Sequence, residues 1–195
     1  MQSKIFTITT PKILCALALA LAAIGSAQAQ NLVVNGGFET GDFTGWSTEA
    51  FYGSVGVSSG SAHSGTFSAG MSAPAESGGS GQISQSFATV AGTQYQLSFW
   101  SEQGFGGFGS YLSASVNGTQ VYANSRYDST YFLHAVTFTA SSATSSISFV
   151  GSDNFGVRLD DVSVTAVPEP SQWALIGFGL AAMGVVARRQ RNVKR

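Results

Sequence analysis

Apolar and polar residues alternate in short runs through most of the region 30–167. In the run 95–100, Tyr95, Leu97 and Phe99 fall on one face of an extended strand. No stretch of this region carries apolar residues at the spacing that gives a helix an apolar face. The pattern therefore predicts an all-β domain, and the number of short strands favours a two-sheet β-sandwich.

The same alternation locates individual strands. Asn117 and Gly118 separate two alternating runs, and this dipeptide tolerates the two positive φ angles of a type I′ turn, which predicts a hairpin. In a later run, Phe132, Val136 and Phe138 are expected to share one buried face. The predicted strands cover residues 32–34, 66–70, 83–87, 95–100, 112–116, 119–122, 132–138, 147–150 and 157–159.

The last run of the domain changes parity. Val157 and Leu159 lie on one face of an extended strand, whereas Val162 and Val164 lie on the other. One extra residue would restore a single buried face, so a β-bulge is predicted at Asp160–Asp161.

The first 29 residues have the composition of a secretory signal peptide. Lys4 and Lys12 precede the apolar run 13–24, and the small residues Ala27 and Ala29 follow it. We expect this segment to form a signal helix that is cleaved after Ala29. The other interpretation, a permanent membrane helix, would need a longer apolar span.

The only cysteine, Cys15, lies inside the predicted signal peptide. The exported domain, predicted at 30–166, therefore has no disulfide to stabilise it in an oxidising compartment. Its stability must come from core burial or from a bound ion.

Basic residues are concentrated at the two ends of the chain. Between residues 30 and 167 only Arg126 and Arg158 are basic, against nine acidic residues, so this region carries a net charge of about −7. A nucleic-acid-binding domain needs basic groups that face phosphates, and this composition argues against that class.

The tail at 167–195 has three parts. It contains the segment Val167, Pro168, Glu169 and Pro170, then an uncharged apolar stretch at 173–187, then a basic cluster that includes Arg188, Arg189 and Arg191. The stretch is shorter than the roughly 20 residues that span a bilayer comfortably, but Trp173 and the arginines can extend it. It predicts a transmembrane helix with its basic end in the cytoplasm. A buried core helix would need a polar face that this stretch lacks.

This three-part tail resembles the PEP-CTERM sorting signal. The resemblance implies that an exosortase, a transpeptidase-like membrane enzyme, recognises the motif around Pro168–Pro170 and removes the helix and the basic end. It also implies export across the cytoplasmic membrane of a Gram-negative bacterium that makes exopolysaccharide. The protein would be anchored through the helix and then reach the cell surface or the extracellular matrix.

Motifs at the two ends of the domain resemble those of jelly-roll carbohydrate-binding modules. They are the run from Leu32 to Glu39, the pair Gly45–Trp46, the triplet His63–Gly65 and the run from Leu159 to Val164. The resemblance implies that the first and last strands run close together, and that Trp46 belongs to the core.

The same resemblance implies a structural calcium ion between the end motifs. By position it implies carboxylate ligands from Glu39 and Asp161, with backbone oxygens near His63 and Ser64. Calcium prefers several hard oxygen ligands, and these residues can supply them. The alternative is that the acids cap turns and stay hydrated.

Sugar-binding jelly rolls usually stack exposed aromatic rings on the faces of pyranose sugars. Trp100 is opposite in parity to the buried face of its strand and is the first candidate for such a contact, followed by Tyr111 and Tyr127, and then by Tyr52 and Tyr122. Any one of these rings can instead serve the core or a cross-strand pair.

Two motifs match enzyme signatures in sequence but not in their structural setting. Gly104–Gly109 has the spacing of a dinucleotide fingerprint, but it precedes a strand and not a helix. Gly56–Gly60 has the letters of a nucleophile elbow around Ser58, with Asp128 and His134 later in the chain, yet the strand-turn-helix setting is missing. We therefore expect no enzymatic activity.

These observations predict an exported, non-enzymatic, calcium-stabilised β-sandwich of jelly-roll type that associates with extracellular polysaccharide. The alternative is a structural or adhesive matrix protein that uses the same sandwich for protein contacts and has no sugar site.

Overall fold

The structure is a computed structural model that describes residues 30–74, 78–103, 110–125, 128–152 and 156–168, with 176–177, 179–180 and 182–184 of the tail. The predicted signal peptide lies outside these residues, as do Tyr127, Glu169, Pro170 and the arginines 188, 189 and 191. The described tail residues 176–177, 179–180 and 182–184 are helical. In the parts of the chain that are described, no helix is long and apolar enough to cross a membrane.

The domain consists of ten strands in two antiparallel sheets. The strands are β1 (Ser47–Phe51), β2 (Ser54–Ser59), β3 (Phe67–Ser72), β4 (Ser80–Ala88), β5 (Gln94–Gln103), β6 (Tyr111–Val116), β7 (Thr119–Asn124), β8 (Asp128–Thr139), β9 (Thr144–Ser152) and β10 (Val157–Ala166). Sheet A has the order β1-β4-β9-β6-β7, and sheet B has the order β2-β3-β10-β5-β8. The predicted all-β, two-sheet architecture is confirmed.

The hydrophobic core lies between the two sheets. Leu97 and Phe99 are fully buried on the inner face of β5, and Ile83 and Phe149 are buried on the inner faces of β4 and β9. Burying a side chain of this size contributes roughly 1.5–3 kcal/mol. The core cluster extends from Val33 to Val164 in sequence, so the residues from 30 to 168 contain a complete core and form one folding unit.

Two local predictions are confirmed. Asn117 and Gly118 connect β6 to β7 with φ angles of 49° and 77°, as a type I′ turn requires. The pairing of β10 with β5 shifts register between Asp160 and Ser163, and Asp161 has a φ of 48°. The parity change in the sequence therefore corresponds to a real bulge.

The strand predicted at 32–34 is wrong. The segment runs beside β10, and the backbone N–H of Leu32 donates to the Val164 oxygen at 2.9 Å. On its other side, however, the side-chain amide of Gln85 takes the place of a partner strand. Its Oε1 accepts from the Val34 N–H at 2.7 Å and its Nε2 donates to the Val34 oxygen at 2.9 Å.

Two of the ten strands, β1 and β2, are not among those that the sequence predicts. All five residues of β1 are exposed, and no residue of β2 is fully buried, so neither strand needs the apolar alternation that marks a buried face. In β8, which also lies at an edge, Val136 and Phe138 are half-buried, whereas Phe132 is 47% exposed, so the predicted buried face includes only two of its three residues.

The N-terminal segment approaches the bulge so closely that one position must be glycine. The Val162 N–H donates to the Gly36 oxygen at 2.9 Å. A Cβ atom on Gly36 would lie far inside van der Waals contact with the Val162 oxygen, which belongs to the backbone of a central strand. The backbone at this point cannot move aside without disturbing sheet B.

We expect Gly36→Ala to lower the free energy of unfolding by about 3 kcal/mol, because the new methyl group must displace β10 or the N-terminal segment. Urea unfolding of residues 30–168 measures the change. The control is Gly56→Ala, where an added Cβ meets no atom within 4 Å, and we expect an effect within about 0.5 kcal/mol. Equal effects of the two substitutions would contradict the proposed close approach.

Candidate functional site

The bulge in β10 carries a buried carboxylate. Asp160 is fully buried, and its Oδ2 accepts hydrogen bonds from the backbone N–H groups of His63 at 2.8 Å and Ser64 at 3.1 Å. Its Oδ1 accepts from the N–H of Asp161 at 2.7 Å. Burial raises the pKa of Asp160, and the N–H donors partly offset that rise by stabilising the charged form.

Two further carboxylates bind the same loop. Asp161 contacts Nδ1 of His63 through Oδ2 at 2.7 Å and accepts from the Ser64 hydroxyl through Oδ1 at 2.7 Å. Glu39 accepts from the N–H groups of Thr66 and Phe67, each at 2.9 Å. The loop 61–67 is therefore attached both to the bulge and to the N-terminal segment.

The four residues that the jelly-roll resemblance implies for a calcium site all contact the loop 61–67 or belong to it. Asp161, His63 and Ser64 meet at the bulge together with Asp160, whereas Glu39 binds the other end of the same loop through Thr66 and Phe67. Sequence reasoning recognised the Asp160–Asp161 pair but not which of the two is buried. In the described part of the chain, no three His, Cys, Asp or Glu side chains are placed so that they could hold a metal ion.

Trp100, the first candidate for sugar stacking, lies half-buried on the outer face of sheet B. The ring of His63 stacks on it with centroids 3.8 Å apart and planes 15° apart. Tyr131 lies next to His63 and donates its hydroxyl to the Ser61 oxygen at 2.7 Å, and burial raises the pKa of Tyr131 to about 12. The loop 61–64 therefore covers one face of the indole ring.

The outer face of sheet A is dominated by hydroxyl groups. It consists of the residues that alternate with the buried Ile83, Phe149 and Leu112. Two complete rows of paired residues cross it, one formed by Ser47, Ser84, Ser148, Ser115 and Gln120, the other by Glu49, Gln82, Val150, Ser113 and Ala123. Glu49 is the only ionisable side chain in these two rows.

Two aromatic rings lie beside these rows. Phe51 on the edge strand β1 is paired with Ser80 of β4, and Tyr111 on β6 is paired with Ser152 of β9. The strands β1 and β6 are three strand spacings apart in the sheet, or about 14 Å. The Tyr111 hydroxyl donates to Oε1 of Gln120 at 3.4 Å, and Phe51 is 63% exposed.

A cavity of about 500 Å³ lies at the β1 side of this face. It is lined by Glu49, Ala50, Phe51, Ser80 and Gln82. Serine hydroxyls and the Gln82 amide can exchange hydrogen bonds with sugar hydroxyls, and an exposed ring can pack on the apolar face of a pyranose. The outer face of sheet A therefore combines the two kinds of contact that carbohydrate recognition uses.

The remaining candidates lie elsewhere. Tyr122 packs against Phe99 with ring centroids 5.4 Å apart, at the edge of the core. Ser58 is on β2 and His134 is on β8, which are the opposite edge strands of sheet B. The four strand spacings between them, about 19 Å, keep this serine and histidine from forming a catalytic pair.

Comparison with known families agrees with this geometry. Residues 30–150 match the family model of a carbohydrate binding domain, CBM_4_9. The chain belongs to this carbohydrate-binding family. Residues 166–191 match the PEP-CTERM protein-sorting motif, so the module carries a sorting signal directly after β10. No curated protein sequence matches the chain.

Solved structures share the fold of this carbohydrate-binding module. TmCBM61 in complex with β-1,4-galactotriose is 18% identical, with coverage of 71% of this chain and 100% of that one and a TM-score of 0.58. The CBM22-1 xylan-binding domain of Paenibacillus barcinonensis Xyn10C is 18% identical, with coverage of 74% and 99% and a TM-score of 0.56. The enzymatically active domain of bacteriophage CBA120 tailspike protein 4 is 17% identical with a TM-score of 0.56, but this chain covers only 21% of it, against 70% of its own length. The sandwich is thus of the carbohydrate-binding jelly-roll type.

We expect Asp160→Ala to destabilise the module by roughly 3 kcal/mol, because it leaves the N–H groups of His63 and Ser64 without their buried acceptor. Chemical unfolding of residues 30–168 measures this change. The control is Asp42→Ala. Asp42 is exposed, hydrogen bonds from Thr44 and Thr40 lower its pKa, and its removal should matter much less. Similar losses from both variants would show that the bulge carboxylate is not a structural anchor.

Proposed function

We propose that this module is a non-enzymatic, surface-sorted protein that binds extracellular polysaccharide on the outer face of sheet A. The observation that carries the proposal is the set of serine, glutamine and glutamate side chains that lies beside Phe51 and Tyr111. Among the described residues, Phe51 on this face is 63% exposed and lines an open cavity. Membership of the carbohydrate-binding family supports the same ligand class.

The proposal includes the route by which the module reaches its ligand. The signal peptide at 1–29 directs export, and the apolar helix at 173–187 anchors the chain while the basic cluster stays in the cytoplasm. An exosortase then processes the tail near Pro168. The sorting-motif match at 166–191 supports this route. The module would act at the cell surface or in the surrounding matrix.

The first test is retention of the module in native gels that contain xylan, β-1,4-galactan or cellulose. We expect retention by at least one polymer, and we expect Phe51→Ala and Tyr111→Ala each to weaken it by about twofold to tenfold, since one ring contact contributes roughly 0.5–1.5 kcal/mol. Both rings are accessible at the surface, so the variants should fold.

Trp100→Ala decides between the two faces of the sandwich. If sheet A carries the site, the polymers retain Trp100→Ala as they retain the unmodified module. If the polymers no longer retain Trp100→Ala but still retain Phe51→Ala and Tyr111→Ala, the ligand binds on sheet B after the loop 61–64 has moved. Absence of retention by any polymer would favour the structural or adhesive matrix protein.

We also propose that the bulge holds a structural calcium ion, with Glu39 and Asp161 as ligands and with oxygens near His63 and Ser64. The donor chemistry supports this proposal, because Oδ1 of Asp160, Oδ1 of Asp161 and Cγ of Glu39 all lie within 4 Å of the Cβ position of Gly37, so the carboxylate oxygens are close to the N-terminal segment. Here Gly37 has no side chain to separate them, and Lys and Arg are absent from the contacts described for these three acids. The ion would neutralise the repulsion among the acids and hold the N-terminal segment on β10.

We expect calcium to raise the melting temperature of residues 30–168 by several degrees relative to a chelator. A ligand that binds only the folded state at a hundred times its Kd stabilises that state by about 2.7 kcal/mol. Glu39→Ala or Asp161→Ala should abolish the calcium-dependent part of the shift. A melting temperature that does not respond to calcium in the unmodified module would leave the three acids as hydrogen-bond acceptors for the loop.

A further inference from the structure

Tyr52 has a backbone conformation that is unfavourable for a tyrosine. It connects β1 to β2 with a φ of 46°, in the left-handed region that disfavours a bulky side chain. Glycine or asparagine would adopt this φ at lower cost. The side chain is nevertheless 70% exposed and buries little surface in return. Such a strained residue at the surface is a reason to look for a binding role.

Close backbone contacts fix the turn that carries Tyr52. A Cβ atom on Gly53 would lie 2.6 Å from the Ser72 oxygen, and one on Gly79 would overlap the Tyr52 oxygen. The turn is therefore pressed against the end of β3 and the start of β4, and its backbone has little freedom. The aromatic ring of Tyr52 is presented to solvent from a fixed base.

Tyr52 forms a corner with Phe51. Their ring centroids are 4.5 Å apart and their planes are inclined by 75°, so the two rings face solvent in different directions. Phe51 lines the cavity on sheet A. Tyr52 lines a second cavity of about 380 Å³ on the other side of the turn, together with Gly53, Ser54, Ser72, Ala73 and Pro74.

The second cavity has the chemistry of a sugar subsite. None of the described residues that line it is charged, and it offers the hydroxyl groups of Ser54 and Ser72, which lie 2.8 Å apart, beside the phenol ring of Tyr52. Hydroxyls next to an exposed ring suit a neutral pyranose.

We infer that Tyr52 and this second cavity bind a sugar unit that continues past the β1 edge from the chain held on sheet A. This inference rests on the proposed function, because the first cavity must hold the preceding units. A polysaccharide long enough to pass over the corner at Phe51 reaches Tyr52, whereas a short oligosaccharide fits within sheet A. The strained turn would then give the module a preference for long chains.

The test compares Tyr52→Gly with Tyr52→Phe in residues 30–168. Binding of polymeric xylan and β-1,4-galactan is measured by native gel retention, and binding of β-1,4-galactotriose and xylotriose by calorimetry. Tyr52→Gly should weaken polymer binding by about twofold to tenfold and leave trisaccharide binding unchanged. Tyr52→Phe keeps the ring and should retain most of the polymer binding.

The melting temperature separates binding from folding. Glycine relieves the left-handed strain, so Tyr52→Gly should melt at the same temperature as the unmodified module or higher. A lower melting temperature with unchanged polymer binding would overturn the inference and make Tyr52 a structural residue. Equal weakening for polymer and trisaccharide would also overturn it, because the ring would then belong to the sheet A site.

The outcome for Phe51→Ala distinguishes this inference from the proposed function. If Phe51→Ala weakens binding and Tyr52→Gly does not, the subsite is absent and the site on sheet A stands. If neither Phe51→Ala nor Tyr111→Ala weakens binding, the site on sheet A is wrong and the subsite fails with it. If none of the polymers retains the unmodified module, both the site on sheet A and the subsite are wrong.

Discussion

The attachment of three separate segments to the β10 bulge is the contact on which the rest of the fold depends. β10 is the central strand of sheet B, and its bulge turns Asp160 and Asp161 toward the loop 61–67. The N-terminal segment binds the same place through Gly36 and, with the side chain of Asn31, also pairs with Val162 and Val164. Without a disulfide, these hydrogen bonds connect the first and last parts of the domain.

The outer faces of the two sheets differ in what covers them. On the outer face of sheet B the loop 61–64 covers the candidate ring, because His63 stacks on Trp100 and Tyr131 donates a hydrogen bond to Ser61. The outer face of sheet A carries short polar side chains that leave it open. Acidic groups are concentrated at the bulge, where they serve the fold, while Glu49 is the only carboxylate in the two polar rows of sheet A. This division explains why a domain with many acids can still offer a nearly neutral surface to a sugar polymer.

The position of the sorting tail relative to this surface follows from the direction of β10. The pairs Phe51–Ser80 and Tyr111–Ser152 form an aromatic row at the end of the sandwich where β10 begins. β10 is ten residues long, so Ala166 lies about 30 Å away at the opposite end. There the Val167 N–H donates to the Gln94 oxygen just before the proline of the sorting motif. The tail thus leaves the module far from the aromatic row.

The sequence by itself determined the strands that have one buried face, the turn at Asn117–Gly118 and the bulge, because parity and turn chemistry are local properties. It also determined the family through its end motifs. Only the tertiary structure decided which sheet each strand joins, that Gln85 replaces a strand beside Val34, and which exposed rings remain open. Trp100 and Phe51 look alike as aromatic residues in alternating runs, and they differ because a loop remote in sequence covers one ring and leaves the other exposed. Alternation records which side of a strand faces the core, but it carries no information about what the chain later places on the opposite side.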